Sequence, residues 1–291
     1  MDYIGRIFRP PSEANSLLLQ VTVGCSHNRC AYCDMYRDKQ FRAKPLETIL
    51  ADLRHASRDG TAWRRVFLCD GDALILGTAR LLEILAAIRE HLPTVRRVGT
   101  YGDTRSVGRK PTQELTQLRE AGLGIVYHGM ESGDDEVLKW IDKGGTRAQC
   151  VETAGKLRDA GISHSVIVLL GIGGVRWSEQ HAIATGDTLT EMDPPFVGAL
   201  TTTIVPGTPL HARQQDGSFQ LPGQFGLLRE LRTIVARGEF SNCRFSSNHA
   251  SNYLPLQSTL PRDKRAVLQV LDRVLTDRDP AQLKPDWLRG L

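Results

Sequence analysis

Apolar residues along this chain follow two spacings, one typical of buried strands and one typical of helices with a single apolar face. Short apolar or alternating runs predict strands at residues 17–23, 66–69, 98–101, 124–128, 166–170 and 197–205. Apolar residues three and four positions apart predict helices at residues 45–57, 78–91, 111–121, 134–142, 147–160 and 177–192. The pattern therefore indicates six β-then-α repeats.

Repeats of this kind require right-handed crossovers and a parallel sheet, so the predicted fold class is α/β. The strand at 166–170 is apolar throughout, as expected for a strand that is covered on both faces. Six parallel strands can close into a partial barrel or lie in a doubly wound open sheet. Periodicity alone does not distinguish these two architectures.

The repeat pattern ends at the Pro-Gly-Thr-Pro sequence of residues 206–209. Beyond it the sequence predicts a helix at 224–237, an irregular polar segment at 241–253 and a helix at 262–275. We interpret residues 1–205 as the core domain and residues 206–291 as a C-terminal extension that covers the core. The polar segment makes the extension a candidate contributor to the substrate pocket.

Composition narrows the functional classes. The chain has 291 residues, 41% hydrophobic and 24% charged, with no apolar run near the ~18 residues of a membrane helix. The net charge of +4 is too mild and too scattered for the basic face that binds nucleic acid. The N-terminus lacks the apolar core of a signal peptide, and three of six cysteines cluster together. We therefore expect a cytoplasmic protein with a metal site.

The three clustered cysteines are Cys25, Cys30 and Cys33, directly after the first predicted strand. Their thiolates are soft ligands that suit zinc or an iron–sulfur cluster. A structural zinc site normally has a fourth ligand from a second Cys or His pair, and the other three cysteines form no CxxC. Three ligands with an open fourth position favour a reactive centre.

On these residues the chain resembles the radical S-adenosylmethionine (radical SAM) superfamily, whose members hold a [4Fe–4S] cluster on three such cysteines. The usual spacing is CxxxCxxC with an aromatic residue before the last cysteine, and Tyr32 supplies that residue. The first gap here has four residues, a variant CxxxxCxxC loop. Residues 129–144 also resemble the branch that includes oxygen-independent coproporphyrinogen oxidase and the catalytic subunit of Elongator. The resemblance implies a partial (β/α)6 barrel.

The resemblance also implies which residues contact S-adenosylmethionine (SAM). The segment after the second strand, Gly71-Asp72-Ala73, replaces the usual Gly-Gly-Glu that offers carbonyls to the amino group. Glu131, with Ser132 beside it, matches the carboxylate that binds the ribose hydroxyls or the amino group. Residues that flank the adenine complete the predicted set, which is Tyr32, Gly71, Asp72, Ala73, Glu131, Ser132, Val168 and Ile172.

Candidate substrate residues lie at two further places. Asp103 and Arg105 follow the third strand, where polar side chains of a barrel can face substrate. In the polar segment, His249 is a candidate general acid or base, and Cys243 is a candidate hydrogen-atom donor. For all four residues a structural role, such as a turn or a surface ion pair, is the competing interpretation.

The implied function is reductive cleavage of SAM to a 5′-deoxyadenosyl radical that abstracts hydrogen from a substrate, here expected to be small and polar. Such an oxygen-sensitive oxidoreductase or lyase needs a one-electron donor of the flavodoxin or ferredoxin type. The sequence leaves two alternatives open. One is a radical SAM enzyme that modifies RNA or protein with a partner, and the other is a non-catalytic zinc or iron–sulfur protein.

Overall fold

The structure of the chain, a computed structural model, describes residues 1–290. Its strands are β1 (Leu17–Gln20), β2 (Thr22–Val23), β3 (Arg42–Ala43), β4 (Arg65–Cys69), β5 (Arg97–Tyr101), β6 (Leu123–Glu131), β7 (Ser163–Leu170), β8 (Phe196–Thr201), β9 (Cys243–Ser246) and β10 (Gln257–Leu260). Its α-helices are α1 (Leu46–Arg58), α2 (Thr78–His91), α3 (Thr104–Gly108), α4 (Thr112–Glu120), α5 (Asp135–Trp140), α6 (Arg147–Asp159), α7 (Gly174–Met192), α8 (Pro209–Gln215), α9 (Gln224–Arg237) and α10 (Lys264–Asp277).

The chain divides into two compact units. The first comprises Met1–Asn28, Met35–His128 and Gly155–His164. The second comprises Arg29–Asp34, Gly129–Ala154 and the residues from Ser165 onward. Residues 206–290 lie within the second unit, and the predicted boundary at residue 205 stays a prediction.

The first unit is built on parallel strands. β1 pairs with β4, β4 with β5 and β5 with β6, all parallel, with a register shift between Val98 and Gly99. One face of these strands packs against the apolar stripes of α1, α2 and α4. Leu19 of β1, Leu53 of α1 and Ile84 of α2 are completely buried in this core. The helices form because their apolar residues recur at helical spacing and have a sheet to cover.

The second unit continues the α/β pattern and then departs from it. β7 and β8 pair in parallel over six residues, and β8 pairs in parallel with β9. β10 is antiparallel to β9. The core of this unit lies between these strands and helices α7, α9 and α10, with Val168, Leu231 and Leu271 buried in it.

Most predicted elements are present, with shifted ends. The predicted strand at 17–23 is two elements, because Thr22 and Val23 pair antiparallel with Arg42 and Ala43 of β3. The predicted strand at 197–205 ends earlier, at Thr201. Helix α7 begins at Gly174, three residues before the predicted start at 177.

The polar segment at 241–253 is not irregular throughout, so that prediction was wrong for residues 243–246. These form β9, in which Cys243 and Phe245 are buried while Arg244 is exposed. This alternation is the period of a half-buried strand, and the hydrogen-bonding residues after it masked the signal. Sequence reasoning also missed α8, where Thr208 accepts a hydrogen bond from the backbone N–H of His211 as an N-cap.

Gly133 provides a test of how β6 and α7 fit together within the second unit. A Cβ atom at Gly133 would lie 2.3 Å from the carbonyl oxygen of Ala184 and 2.5 Å from Oγ1 of Thr188. We expect Gly133→Ala to lower the free energy of unfolding by about 2 kcal/mol, because relief of the clash requires a shift of the α7 backbone. Urea denaturation followed by circular dichroism measures this change.

The matched control is Gly155→Ala in α6, where a Cβ atom would meet nothing within 4 Å. Alanine is the better helix former, so this variant should be more stable by about 1 kcal/mol. Equal effects of the two substitutions would contradict the packing described for Gly133.

Candidate cofactor site

The cysteine loop follows β2 and Gly24. Cys25, Cys30 and Cys33 are each partly exposed, and no disulfide is present among residues 1–290. The backbone N–H of Cys33 donates to the carbonyl of Cys30 at 3.2 Å, which makes a tight turn around Tyr32. Three accessible thiols on one short loop are a donor set that fits an iron–sulfur cluster.

A site for a single metal ion has a different geometry. Within residues 1–290, no group of three or more His, Cys, Asp or Glu side chains lies close enough together to hold one metal ion. In a [4Fe–4S] cluster each cysteine binds its own iron, so the three sulfurs stand farther apart than the ligands of one ion. The chemistry and the partial exposure of the three cysteines fit such a cluster.

Asp70, directly after β4, anchors the start of the cysteine loop in the first unit. Its Oδ2 accepts hydrogen bonds from the backbone N–H of Gly24 at 3.1 Å and from Nε2 of Gln20 at 3.1 Å. The ammonium of Lys39 lies 2.7 Å from the same oxygen, and its side chain is 4% exposed. This buried ion pair fixes the residue that precedes Cys25.

Gly71 has no room for a side chain. A Cβ atom there would lie 2.7 Å from the Cβ of Cys25 and 2.8 Å from Cε2 of Tyr36. The glycine therefore lets the segment after β4 approach the loop closely. Contact of Gly71 with a cofactor stays a prediction. Ala73 is buried at the start of a short 3-10 helix.

Asp72 is a buried carboxylate beside the same loop. It accepts a hydrogen bond from Oγ of Ser26 at 2.7 Å, and the backbone N–H of Asp103 lies 3.4 Å from its other oxygen. Burial, followed by repulsion from Asp103, raises the pKa of Asp72 to about 7. Ser26 thus links the cysteine loop to the predicted cofactor segment.

The side chains of Asp103 and Arg105 form an ion pair. Asp103 is the N-cap of α3 and forms a capping box with Ser106. Nε of Arg105 donates to Oδ2 of Asp103 at 3.1 Å. The structure places this pair next to Asp72, and a contact with substrate stays a prediction.

Glu131 ends β6 in the second unit with an unusual backbone. Its φ is +68°, a left-handed conformation that costs of order 1 kcal/mol or more for a side chain of this kind. Nζ of Lys143 lies 3.1 Å from Oε1 of its carboxylate, and the hydroxyl of Tyr32 also donates to it. Burial, with the nearby Glu131 charge, raises the pKa of Tyr32 well above its ordinary value, so the hydroxyl keeps its proton.

Gly129 allows the Glu131 side chain to fold back. A Cβ atom at Gly129 would lie 2.2 Å from Oε1 of Glu131. The Gly-x-Glu sequence is therefore explained sterically, because a side chain at Gly129 would clash with the Glu131 carboxylate. It places a carboxylate over the backbone of its own strand.

Ser132 and its neighbours form a buried polar network that the sequence did not reveal. Oγ of Ser132 lies 2.8 Å from Nδ1 of His181 and accepts from the backbone N–H of Asp134 at 3.0 Å. Asp134 is the N-cap of α5, and its side chain accepts a hydrogen bond from the backbone N–H of Val137. Nε2 of His181 lies 3.9 Å from the carboxylate of Glu230 on α9.

A sequence signal for Glu230 does exist. It stands on the apolar stripe of α9 with Leu227, Leu231 and Ile234, where a charged residue is out of place. Its carboxylate accepts hydrogen bonds from the backbone N–H of Gly171 and from Oγ of Ser178, both at 2.6 Å. Gly171 opens the glycine segment after β7.

The predicted adenine neighbours and the residues of the extension lie in packed surroundings. Val168 is buried in the core with α7 and α9, and Ile172 is buried in a smaller apolar cluster that includes Ala31. Cys243 is fully buried in β9, and burial raises its pKa to about 12. Nδ1 of His249 lies 2.9 Å from Oγ of Ser251. The functional roles of these four residues stay predictions.

Comparison with known proteins identifies the family. The family model of the Radical SAM superfamily matches residues 19–185. Among curated proteins no sequence matches the chain.

None of the helices within residues 1–290 has the length and apolar character of a membrane-spanning helix.

Several solved structures have a similar fold. Methylornithine synthase is 16% identical with a TM-score of 0.55, and the similarity covers 77% of this chain and 63% of that one. The methyltransferase TsrM from Kitasatospora setae is 19% identical with a TM-score of 0.56, covering 72% and 41%. Coproporphyrinogen III oxidase from Escherichia coli is 16% identical with a TM-score of 0.57, covering 76% and 51%. The chain thus spans less than two thirds of these proteins.

These comparisons confirm the predicted fold class. The chain has an α/β fold with a mostly parallel sheet of eight strands, consistent with the partial barrel of these enzymes. They also confirm the predicted family and its likeness to coproporphyrinogen oxidase. At these identities the likeness concerns the fold.

The buried Lys39–Asp70 pair can be tested by stability. We expect Lys39→Met to lower the free energy of unfolding by about 3 kcal/mol, because it leaves the Asp70 carboxylate buried without a cation. Lys39→Met combined with Asp70→Asn should recover part of this loss. Chemical denaturation of the reduced protein measures both changes.

The control is Lys264→Met, which removes the cation from a surface pair with Glu239, whose side chain is 69% exposed. Surface pairs contribute about 1 kcal/mol or less, so this variant should remain close to wild type. A Lys39→Met protein as stable as Lys264→Met would contradict the anchoring role of Asp70.

Proposed function

The chain belongs to the radical SAM superfamily, and from this premise we propose that it uses Cys25, Cys30 and Cys33 to hold the cluster of a SAM-cleaving enzyme. Its cofactors are a [4Fe–4S] cluster and S-adenosylmethionine, as in the superfamily. When held by Cys25, Cys30 and Cys33 and reduced, the cluster would supply the one electron for reductive cleavage of SAM, the chemistry by which the superfamily removes hydrogen from a substrate carbon. Membership of this superfamily favours an enzyme over the alternative of a non-catalytic zinc or iron–sulfur protein.

The observation that carries the proposal is the contact between Tyr32 and Glu131. Tyr32 lies between two of the three cysteines, and its hydroxyl donates to the carboxylate of Glu131. Glu131 is also paired with Lys143 and held in a left-handed backbone conformation. A strained, buried carboxylate beside the cysteine loop supports a role in SAM recognition, because backbone strain of this kind clusters at ligand-binding sites.

The remaining predicted SAM contacts have distinct tasks in this proposal. Gly71 brings backbone close to Cys25, and Asp72 and Ala73 extend that segment. Ser132 supports the backbone after Glu131 through its bond with His181. Val168 and Ile172 shape the apolar surroundings of the adenine.

The substrate is proposed to be a small polar molecule. Asp103 and Arg105 offer a carboxylate and a guanidinium beside Asp72, and together they can orient such a molecule. In the extension, His249 is proposed as an acid or base and Cys243 as a hydrogen-atom donor. A radical SAM enzyme needs an electron donor, which we propose to be of the flavodoxin or ferredoxin type, in the cytoplasm.

The cluster ligands give the first prediction from this proposal. Anaerobically reconstituted wild-type protein should hold about four irons per chain and form 5′-deoxyadenosine with dithionite and SAM. Cys25→Ala, Cys30→Ala and Cys33→Ala should each abolish product, because a ligand is lost. Iron analysis and mass spectrometry are the measurements.

Cys150→Ala is the control, since Cys150 is buried in the apolar core of the second unit. It should keep the iron and the product. A wild-type site filled with zinc, or a cluster whose spectrum ignores SAM, would exclude the proposed reaction.

The role of Glu131 gives a second prediction. Glu131→Gln should weaken SAM binding roughly tenfold while leaving the iron content unchanged, since a charged acceptor is lost and no ligand is touched. Equilibrium dialysis of reconstituted protein measures the affinity. Glu136→Gln, an exposed change five residues away, is the matched control. Equal SAM affinity in both variants would remove Glu131 from the site.

A further inference from the structure

Glu230 is a buried carboxylate on α9 that no part of the proposed chemistry has yet used. Its side chain is 1% exposed. It accepts hydrogen bonds from the backbone N–H of Gly171 and from Oγ of Ser178, each at 2.6 Å. One carboxylate therefore holds the start of the glycine segment after β7 and the first turns of α7.

His181 extends this arrangement toward β6. Its Nδ1 lies 2.8 Å from Oγ of Ser132 and 3.3 Å from Oγ1 of Thr185, so the ring forms a hydrogen bond with a hydroxyl beside β6. Its Nε2 lies 3.9 Å from Oε2 of Glu230, beyond hydrogen-bond distance.

Burial disfavours the charged form of the Glu230 carboxyl. It raises the pKa of this carboxyl to about 7, against the two hydrogen bonds that lower it. The groups that face it are Ser178 and His181 of α7 and the amide of Gly171. On α9 itself Arg229 is exposed and Arg232 pairs with Asp272.

His181 does not share this titration. Burial lowers the pKa of His181 to about 4, with Asp134 opposing the shift, so the ring is neutral between pH 6 and pH 8. A change in the network across this range is therefore a change in Glu230. A leucine at this place on the apolar stripe would pack without such a cost.

We propose that Glu230 is a positioning residue of the SAM site, which holds the Gly171–Gly174 segment through the amide of Gly171 and the first turns of α7 through Ser178. The inference rests on the proposed function, because it assigns the glycine segment and Glu131 to SAM. It makes α9, in the C-terminal extension, part of the machinery that binds the cofactor.

The test compares Glu230→Gln with wild type, both as reconstituted holoproteins, by equilibrium dialysis with SAM at pH 6 and pH 8. Glutamine keeps the shape and loses the charge, as protonation of Glu230 does. The ratio of the two Kd values should be close to one at pH 6 and rise to roughly tenfold at pH 8. Titration of SAM itself cancels in this ratio. Glu179→Gln, an exposed change on α7, should give a ratio of one at both pH values.

Thermal stability gives an independent readout with the opposite sign. An acid whose folded pKa is raised contributes stability that is present below its ordinary pKa of 4.5 and is lost as pH rises through about 7. Glu230→Gln should therefore have a higher Tm than wild type at pH 8, with a smaller difference at pH 6. A merely structural carboxylate would give a variant that is less stable.

The outcomes separate the two levels of inference. Wild-type protein that binds no SAM would overturn the proposed function and this inference with it. Normal wild-type binding with a Kd ratio of one at pH 8 would overturn the inference alone. A Glu230→Gln protein that is less stable than wild type, or unfolded, would also overturn it, because the carboxylate would then be structural.

Discussion

Buried carboxylates at or near the ends of strands are the constraint on which this structure depends. Asp70, Asp72, Glu131 and Glu230 are each less than one tenth exposed. A charge in such a place costs several kcal/mol unless nearby donors or cations replace the lost water. Each of the four therefore requires other residues around it, and those residues are drawn from loops and helices far away in the sequence.

The four carboxylates are supported in two different ways. Asp70 and Glu131 have a lysine at 2.7 and 3.1 Å, which balances the charge directly. Asp72 and Glu230 accept hydrogen bonds from hydroxyl and amide donors, and burial raises their pKa values to about 7. The first pair resembles fixed anchors, whereas the second pair can change charge within the physiological range.

Local patterns predicted the regular elements of this chain well, and failed where distant residues decide the outcome. The spacing of apolar residues located α2 at residues 78–91 without error, since its apolar face covers a sheet. The split between β1 and β2 depends on pairing with Arg42 and Ala43, which the sequence near residue 22 does not encode. β9 was missed because only four residues alternate there.

The candidate site shows the same division. Cysteine spacing and the Gly-x-Glu-Ser-Gly sequence located the cysteine loop and Glu131, because these residues are close together in the chain. Glu230 lies 59 residues from the amide of Gly171 that it binds, so only the folded chain reveals the pair. Its position on an apolar stripe was the available signal, and a single residue of that kind has many explanations.

The hydroxyl of Tyr32 has a consequence for how the protein matures. Iron bound at Cys30 and Cys33 would fix the backbone on both sides of this residue, and thereby the donor that faces Glu131. Iron would then bind first, and SAM would bind only to the iron-loaded protein. If the iron-free protein bound SAM with the same affinity as the iron-loaded protein, this order would not exist. If the order holds, a cell that makes this protein without iron accumulates a form that leaves its SAM pool untouched.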